Sequence, residues 1–541
     1  MNFKRKLLRG GSSFITAFIV MGMFPQQVSA KTPANTLVMA WNLDGISTFD
    51  PAQINDVYAG EIILNVCDNL VDSVPNDATK FVPRLAKSWD VTSDDHGTTI
   101  TFHLRDDLKF NDGRSANAND LVWSMKRVVK LKLGNASTLN EYGITEQTVD
   151  DVIQAPDEKT MVMKFAKPYP TTLLLDNIAS RYAAALLDRK TLMKHEKNGD
   201  MGNHYLAAHS ACVGPYQIKS WNPGKGLMLR ASSHYWGDKP KLKQILISHV
   251  SEPSTQRLML EKHDIDVARD LPSEALETLQ KTTDIRVEKI LPPLMMYWGF
   301  NMTNPIFSHA KVRLAMRYLI DYDGLGKTLL KNVAIPRASF LPLGTLGALD
   351  EKEGQPFKLD LKKAKQLLTE AGYPDGFEAK ILVSAAPLGE TLAQSIQDNA
   401  EKVGVHLKIE RLAGAQLFDK VYARAFDTVV MGWNSDSSDP QTMASRIIYN
   451  PDNRFEAKNT AYPSWHQGYF DENMNRLVED ALFEKDPKKR VEKYGNLQRK
   501  LMQEGPYAFI YQKYQTVALS PSVKKWVWNS APRIFYNLIE K

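Results

Sequence analysis

The chain has little cysteine, no long apolar segment beyond its first thirty residues, and none of the short motifs that mark common enzymes. Only Cys67 and Cys212 are present in 541 residues. A thiolate metal cluster therefore has too few ligands. The two thiols either form a disulfide in an oxidising compartment or lie buried and free. The eleven histidines are scattered, and none falls in an HExxH arrangement. A GxSxG elbow, a Walker loop and a GxGxxG turn after a strand are all missing. No later stretch approaches the ~20 apolar residues that a membrane-spanning helix needs. There is also no short repeat and no Gly/Ser-rich tether, so domain boundaries should be compact crossings.

What is present begins with an export signal. Lys4, Arg5, Lys6 and Arg9 form a basic head, an apolar run covers Phe14 to Phe24, and Val28-Ser29-Ala30 is a small-x-small cleavage site. Cleavage is expected after Ala30. No cysteine stands at that junction to carry a lipid, so an exported chain with no direct membrane insertion is expected. Removal of residues 1–30 lowers the formal net charge from +6 to +2. Such a balance gives no reason to expect nucleic acid or an anionic membrane surface as partner. The remaining length exceeds what one core supports, and two or three domains are expected.

The pattern along the chain is mixed α/β. "NTLVMAWN" (Asn35 to Asn42) reads as a strand, and a helix is predicted from Val57 to about Leu70. "TTITFHL" alternates with period two after the polar turn "SDDHG". "SANANDLVWSMKRVVK" carries capping residues and then an amphipathic pattern. After residue 210 strands and helices alternate: "PKLKQILISHV" as a strand, "KVRLAMRYLIDYDGLGKTLL" as one long helix, and "FDTVVMGW" as a strand. "DPAQIND" and "DSSDP" match calcium loops only loosely, because the glycine and terminal glutamate are missing. Taken from the residues alone, Asp436 is a turn or cap residue, Trp433 a core residue, and Asn55 and Asp56 caps for the helix starting at Val57.

Several stretches together resemble the family 5 extracellular solute-binding proteins, the peptide- and nickel-binding receptors of ABC importers. They are Pro83 to Val128 ("PRLAKSWDVTSDDHGTTITFHLRDD…"), Cys212 to Pro240 ("CVGPYQIKSWNPGKG…SSHYWGDKP"), Trp298 to Leu325, and "AKQLLTEAGYPDGF" (Ala364 to Phe377). Their order is that of the family, and they span most of the chain. In place of the family's GTGPY, this chain has Cys212 and Val213 as the first two residues. That departure favours a Cys67–Cys212 bond.

The resemblance implies an α/β, two-lobed periplasmic binding protein (type II, cluster C-like) with an extra α/β insertion subdomain in the first lobe. The expected boundaries are 31–75, 185–290 and 510–541 for lobe I, 76–184 for the insertion, and 291–509 for lobe II. The lobes would be joined by strands near "KILPPLMM" and "AFIYQKYQ". It further implies a monomer, non-enzymatic and without cofactor or metal, that carries peptides or a similar small solute in the periplasm to an inner-membrane ABC permease. A nickel chelate, glutathione-like compound, opine or haem is the alternative cargo, and a secreted hydrolase the remote one.

For the site, the resemblance implies that Asp436, in the GW-x-x-D position, accepts a ligand α-ammonium. Gly432, Trp433, Asn434 and Ser435, with Asn55, Asp56 and Val57, would pair with the ligand backbone, and Trp433 and Tyr58 would supply apolar walls. The family's carboxylate-binding arginine has no counterpart in "LVSAAPLGE" (Leu382 to Glu390). Lys420, Arg424 and Arg446 are the candidate replacements.

Overall fold

A computed structural model describes residues 32–54, 56–74, 77–281, 284–384, 387–435, 437, 439–529 and 533–541. Two large sheets organise it. The first has seven strands, in the order Arg286–Ile290, Gln515–Leu519, Val267–Arg269, Thr36–Trp41, Gln244–His249, Gly226–Ala231 and Tyr216–Asn222. Its centre is parallel: Thr36–Trp41 runs alongside both Gln244–His249 and Val267–Arg269. Leu37, Met39 and Trp41 sit on one face with Leu229 and Ile245, while Ala40 and Ala268 pack on the other against Leu260 and Leu276. Burial on both faces explains the near-continuous apolar sequence of these strands.

The second sheet has six strands, in the order Ala334–Pro336, Tyr507–Lys513, Leu294–Phe300, Thr428–Asn434, Phe377–Ser384 and Val405–Leu412. It too is covered on both faces. The chain passes between the sheets twice, at residues 291–293 and at Tyr514. Residues Tyr511 to Lys513 still pair within the second sheet, so the return to the first lies a little past residue 510. Both crossings are strand-to-strand, with Pro292 and Pro293 in one of them. This is the short, stiff connection that allows lobes to hinge without separating.

A third unit packs beside the first lobe. Ala86–Asp94, Gly97–Leu104, Thr160–Phe165 and Ile153–Asp157 form a four-stranded antiparallel sheet, covered by the helix Ala118–Leu131. In Gly97–Leu104 buried and half-buried residues alternate strictly, as the period-two pattern predicts. Asn117 and Asp120 form a reciprocal capping box at the start of the helix.

Two predicted helices end early. The first spans Val57–Val66, because Cys67 is bonded to Cys212 and the Asp68 amide donates to the Val213 carbonyl. The stretch read as one helix after Lys311 is two, Ala310–Arg317 and Tyr322–Lys327. Asp321 interrupts it by accepting from the Gly324 amide, a cap that competes with the helical ladder. The disulfide itself joins buried residues whose Cα atoms are 5.3 Å apart. Beside it, a Cβ on Gly214 would stand 1.9 Å from the Val66 carbonyl oxygen, so the chain can approach here only through glycine.

Candidate functional site

The strand Thr428–Asn434 is the backbone of the site. On one edge it is paired along its whole length with Leu294–Phe300, from Phe300↔Thr428 to Leu294↔Asn434. On the other edge, pairing with Phe377–Ser384 stops at Leu382↔Val429. Beyond Val429 no described strand covers that edge. An uncovered strand edge inside a molecule is a template for an added strand. Gly432 lets this strand lie close to its neighbour, since a Cβ there would meet the Met296 sulfur at 2.5 Å.

The strand's C-terminal end borders a cavity of about 220 Å³ between the second lobe and the insertion. Trp433 and Asn434 line it from the strand, Thr442 and Arg446 from the helix Pro440–Ile447, and Glu141, Tyr142, Asn177 and Arg181 from the opposite side. Trp433 is half-buried against the core of the second lobe. Its indole Nε1 is closed off from solvent and has no hydrogen-bond partner among the described residues.

The turn after the strand is tied down on both sides. The Ser435 amide donates to Pro293 O (3.0 Å), and Ser435 Oγ donates to Ser437 O (2.8 Å). Ser437 Oγ then donates to Asp176 Oδ2 of the insertion at 2.6 Å, with both side chains buried. Asp439 caps the next helix through the Gln441 amide and takes a two-point contact from Arg490 (2.8 and 3.0 Å). A buried carboxylate needs such a partner.

Across the cavity, Asp176 and Asn177 stand in a one-turn π-helix, Leu175–Ala179, a form that often marks functional positions. Asn177 Nδ2 donates to the Tyr142 hydroxyl (2.7 Å) and to Thr442 Oγ1 of the second lobe (3.3 Å). Burial, and secondarily the Glu141 charge, hold the Tyr142 phenol well above its usual pKa, so it stays neutral. Arg446 crosses between lobes to Glu141, Nη2 to Oε2, at 2.6 Å. Its guanidinium lies over the Tyr462 ring, 4.9 Å from the centroid. Arg181 faces the same cavity and is 3.4 Å from Asp176.

The structure thus brings Trp433 and Asn434 to the cavity, with Gly432 on the same strand. Asp436 and Asn55 lie outside the described residues. Ser435 is at the strand end, but its amide is used by Pro293 and is not available to a ligand backbone. Asp56 caps the helix Val57–Val66 through the Ala59 amide (2.8 Å), and burial raises its pKa. Val57 is mostly exposed. Tyr58 stacks on Trp41 at 5.7 Å and donates its hydroxyl to Asp270, with its pKa raised by burial and then by that carboxylate. None of Asp56, Val57 and Tyr58 lines the cavity.

Of the candidate cations, Lys420 pairs with Glu410, and Arg424 is bound by Asn453 and lies 4.1 Å over Trp465. Arg446 alone of the three lines the cavity. Glu141, Asn177 and Arg181 went unread in the sequence. Glu141 and Arg181 sit just past the ends of short helical segments and Asn177 inside one, where a lone polar residue carries no sequence signal of its own.

Two sheets joined by a double strand crossing, with a cavity where the second lobe meets the insertion, define the two-lobed α/β clamp of solute-binding proteins. The model for bacterial extracellular solute-binding proteins, family 5 (middle), matches residues 80–455, and the chain belongs to this family. Among curated relatives, it is 26% identical over 527 residues to the probable D,D-dipeptide-binding periplasmic protein DdpA of Escherichia coli (strain K12), covering 97% of both chains. It is 26% identical over 478 residues to the glutathione-binding protein GsiB of Salmonella typhimurium, covering 85% of this chain and 86% of the relative. A solved structure of similar fold is the ABC transporter-associated periplasmic binding protein DppA from Helicobacter pylori in complex with the peptide STSA. It superposes with a TM-score of 0.77 at 24% identity, over 94% of this chain and 98% of that one.

Proposed function

We propose that this protein is the exported, periplasmic substrate-binding component of an ABC importer. It binds peptides, from dipeptides to oligopeptides, between its lobes and delivers them to an inner-membrane permease. It acts as a carrier without turnover. The observation that carries this reading is that strand pairing on one edge of Thr428–Asn434 stops at Val429, with no strand beyond it among the described residues, where the strand runs on to an inter-lobe cavity. An extended peptide adds to such an edge through main-chain hydrogen bonds, which are indifferent to side-chain identity. The half-buried Trp433 ring gives the cavity an apolar wall for a peptide side chain. The family supports the receptor role, and the names of its relatives support a peptide cargo. Among the described residues no helix is long and apolar enough to cross a membrane.

Asp436, between Ser435 and Ser437 in sequence, is assigned to the ligand's α-ammonium. A charge-assisted bond from ammonium to carboxylate contributes ~1.5–3 kcal/mol in a water-poor site. Asp436→Ala should therefore weaken binding about ten- to hundredfold. The test incubates purified protein with labelled peptides. Retained, intact peptide is expected; hydrolysed peptide would overturn the carrier role, and an unchanged affinity in a folded Asp436→Ala variant would overturn the ammonium assignment. A second reading is a γ-linked thiol peptide such as glutathione. It is favoured by the likeness to the glutathione-binding protein GsiB over 85% of this chain.

A further inference from the structure

We propose that Arg446 receives the carboxylate end of the bound peptide, which takes the place of Glu141 on that guanidinium. The inference rests on the peptide reading above. The loop Leu382 to Glu390 offers no cation, and two of the three candidate replacements are engaged away from the cavity. Arg446 remains. It projects from the last turn of Pro440–Ile447, only 12% exposed, on the same cavity as Trp433 and Asn434. The face of Tyr462 beneath it fixes the plane of the guanidinium before any ligand arrives. Little side-chain freedom is then left to lose on binding.

The contact with Glu141 has the character of a place-holder. It joins one nitrogen to one oxygen, whereas a guanidinium can offer a carboxylate a two-point fork. Glu141 comes from the short segment after Ala136–Asn140, on the opposite side of the cleft. It also has somewhere to go. Glu141 and Tyr142 line a second, adjoining cavity of about 250 Å³, walled by Tyr169, Tyr449, Tyr462 and Phe483. A peptide carboxylate entering the first cavity would exchange with Glu141 for the fork of Arg446, and the Glu141 side chain would turn towards the second. The net charge at the bridge is unchanged by the exchange if Glu141 reaches solvent through that second opening.

The test compares two defined probes on purified full-length mature protein: an equimolar pool of Ala-Xaa and Ala-Xaa-Ala peptides as free acids, and the same pool as C-terminal amides. Native mass spectrometry reads the bound fraction of each. Wild-type protein should prefer the acids by about tenfold or more, the scale of one charge-assisted contact. Arg446→Gln should abolish the preference, and Glu141→Gln, which removes the competing charge, should widen it. A residue that merely latches the lobes would change acid and amide binding by the same factor, so the ratio separates the roles even where a variant is less stable. Equal binding of acids and amides by wild type, or a preference that survives in Arg446→Gln, overturns the inference while leaving the peptide reading standing. Binding of neither pool overturns the peptide reading, and the inference falls with it.

Discussion

Replacing both cysteines with alanine should lower the stability of the fold by an amount set by the chain that the disulfide encloses. Cys67 and Cys212 are separated by 145 positions. A cross-link closing such a loop removes about 17 cal/mol/K of entropy from the unfolded chain, or ~5 kcal/mol at 25 °C. Residual structure in the unfolded state reduces this, and ~2–4 kcal/mol is the usual yield. Unfolding a chain of ~500 residues carries about 1 kcal/mol/K of entropy, so the melting temperature should fall by ~2–5 °C. The enclosed loop holds the whole four-stranded sheet, from Ala86–Asp94 to Thr160–Phe165. The denatured variant should therefore be more expanded, and its urea m-value larger. Calorimetry and urea titration of wild type and Cys67→Ala/Cys212→Ala measure both. Two titratable thiols in denatured, unreduced wild type would remove the bond itself. A double variant that melts together with the wild type would refute the chain-entropy reasoning.

Other outcomes follow from particular contacts. Gly214→Ala should destabilise by ~3 kcal/mol or more or block folding, because its Cβ meets the backbone oxygen of Val66 and cannot displace it; a melt near that of wild type would show the chain can open there. Arg490→Ala strands the buried Asp439 carboxylate that it now holds in a two-point contact, at a cost of ~3–5 kcal/mol. The paired change Asp439→Asn/Arg490→Met should recover much of that loss in a double-mutant cycle. His466 is held neutral: burial pushes its pKa down to about 4, while its Nε2 bonds to Thr460 O (2.7 Å). Below pH 6.5 the unfolded chain binds this proton and the folded one does not, so stability falls as pH drops from 6.5 towards 4. The loss reaches roughly 2–3 kcal/mol near pH 4.5. His466→Gln should flatten that part of the pH–stability curve, and an unchanged slope would refute the assignment.

The sequence by itself determined what is local. Alternation in Gly97–Leu104, the capping box at Asn117 and Asp120, and the apolar run of Thr428–Asn434 all act within a few residues, where side-chain period and capping chemistry decide the backbone. Its motifs were also enough to show the family resemblance. The tertiary structure decided where strands end and who meets whom. Val57–Val66 stops at Cys67 because a partner 145 positions away holds that residue. Among the described residues, strand pairing on that edge ends at Val429 because Phe377–Ser384 pairs with Thr428–Asn434 over only two positions. Asp56 and Tyr58 are drawn away from the cavity by a helix cap and by Asp270. Glu141 meets Arg446, and Asn177 meets Thr442, only because two lobes close on each other. Such pairings join residues hundreds of positions apart, and no periodicity or spacing in a single chain records them.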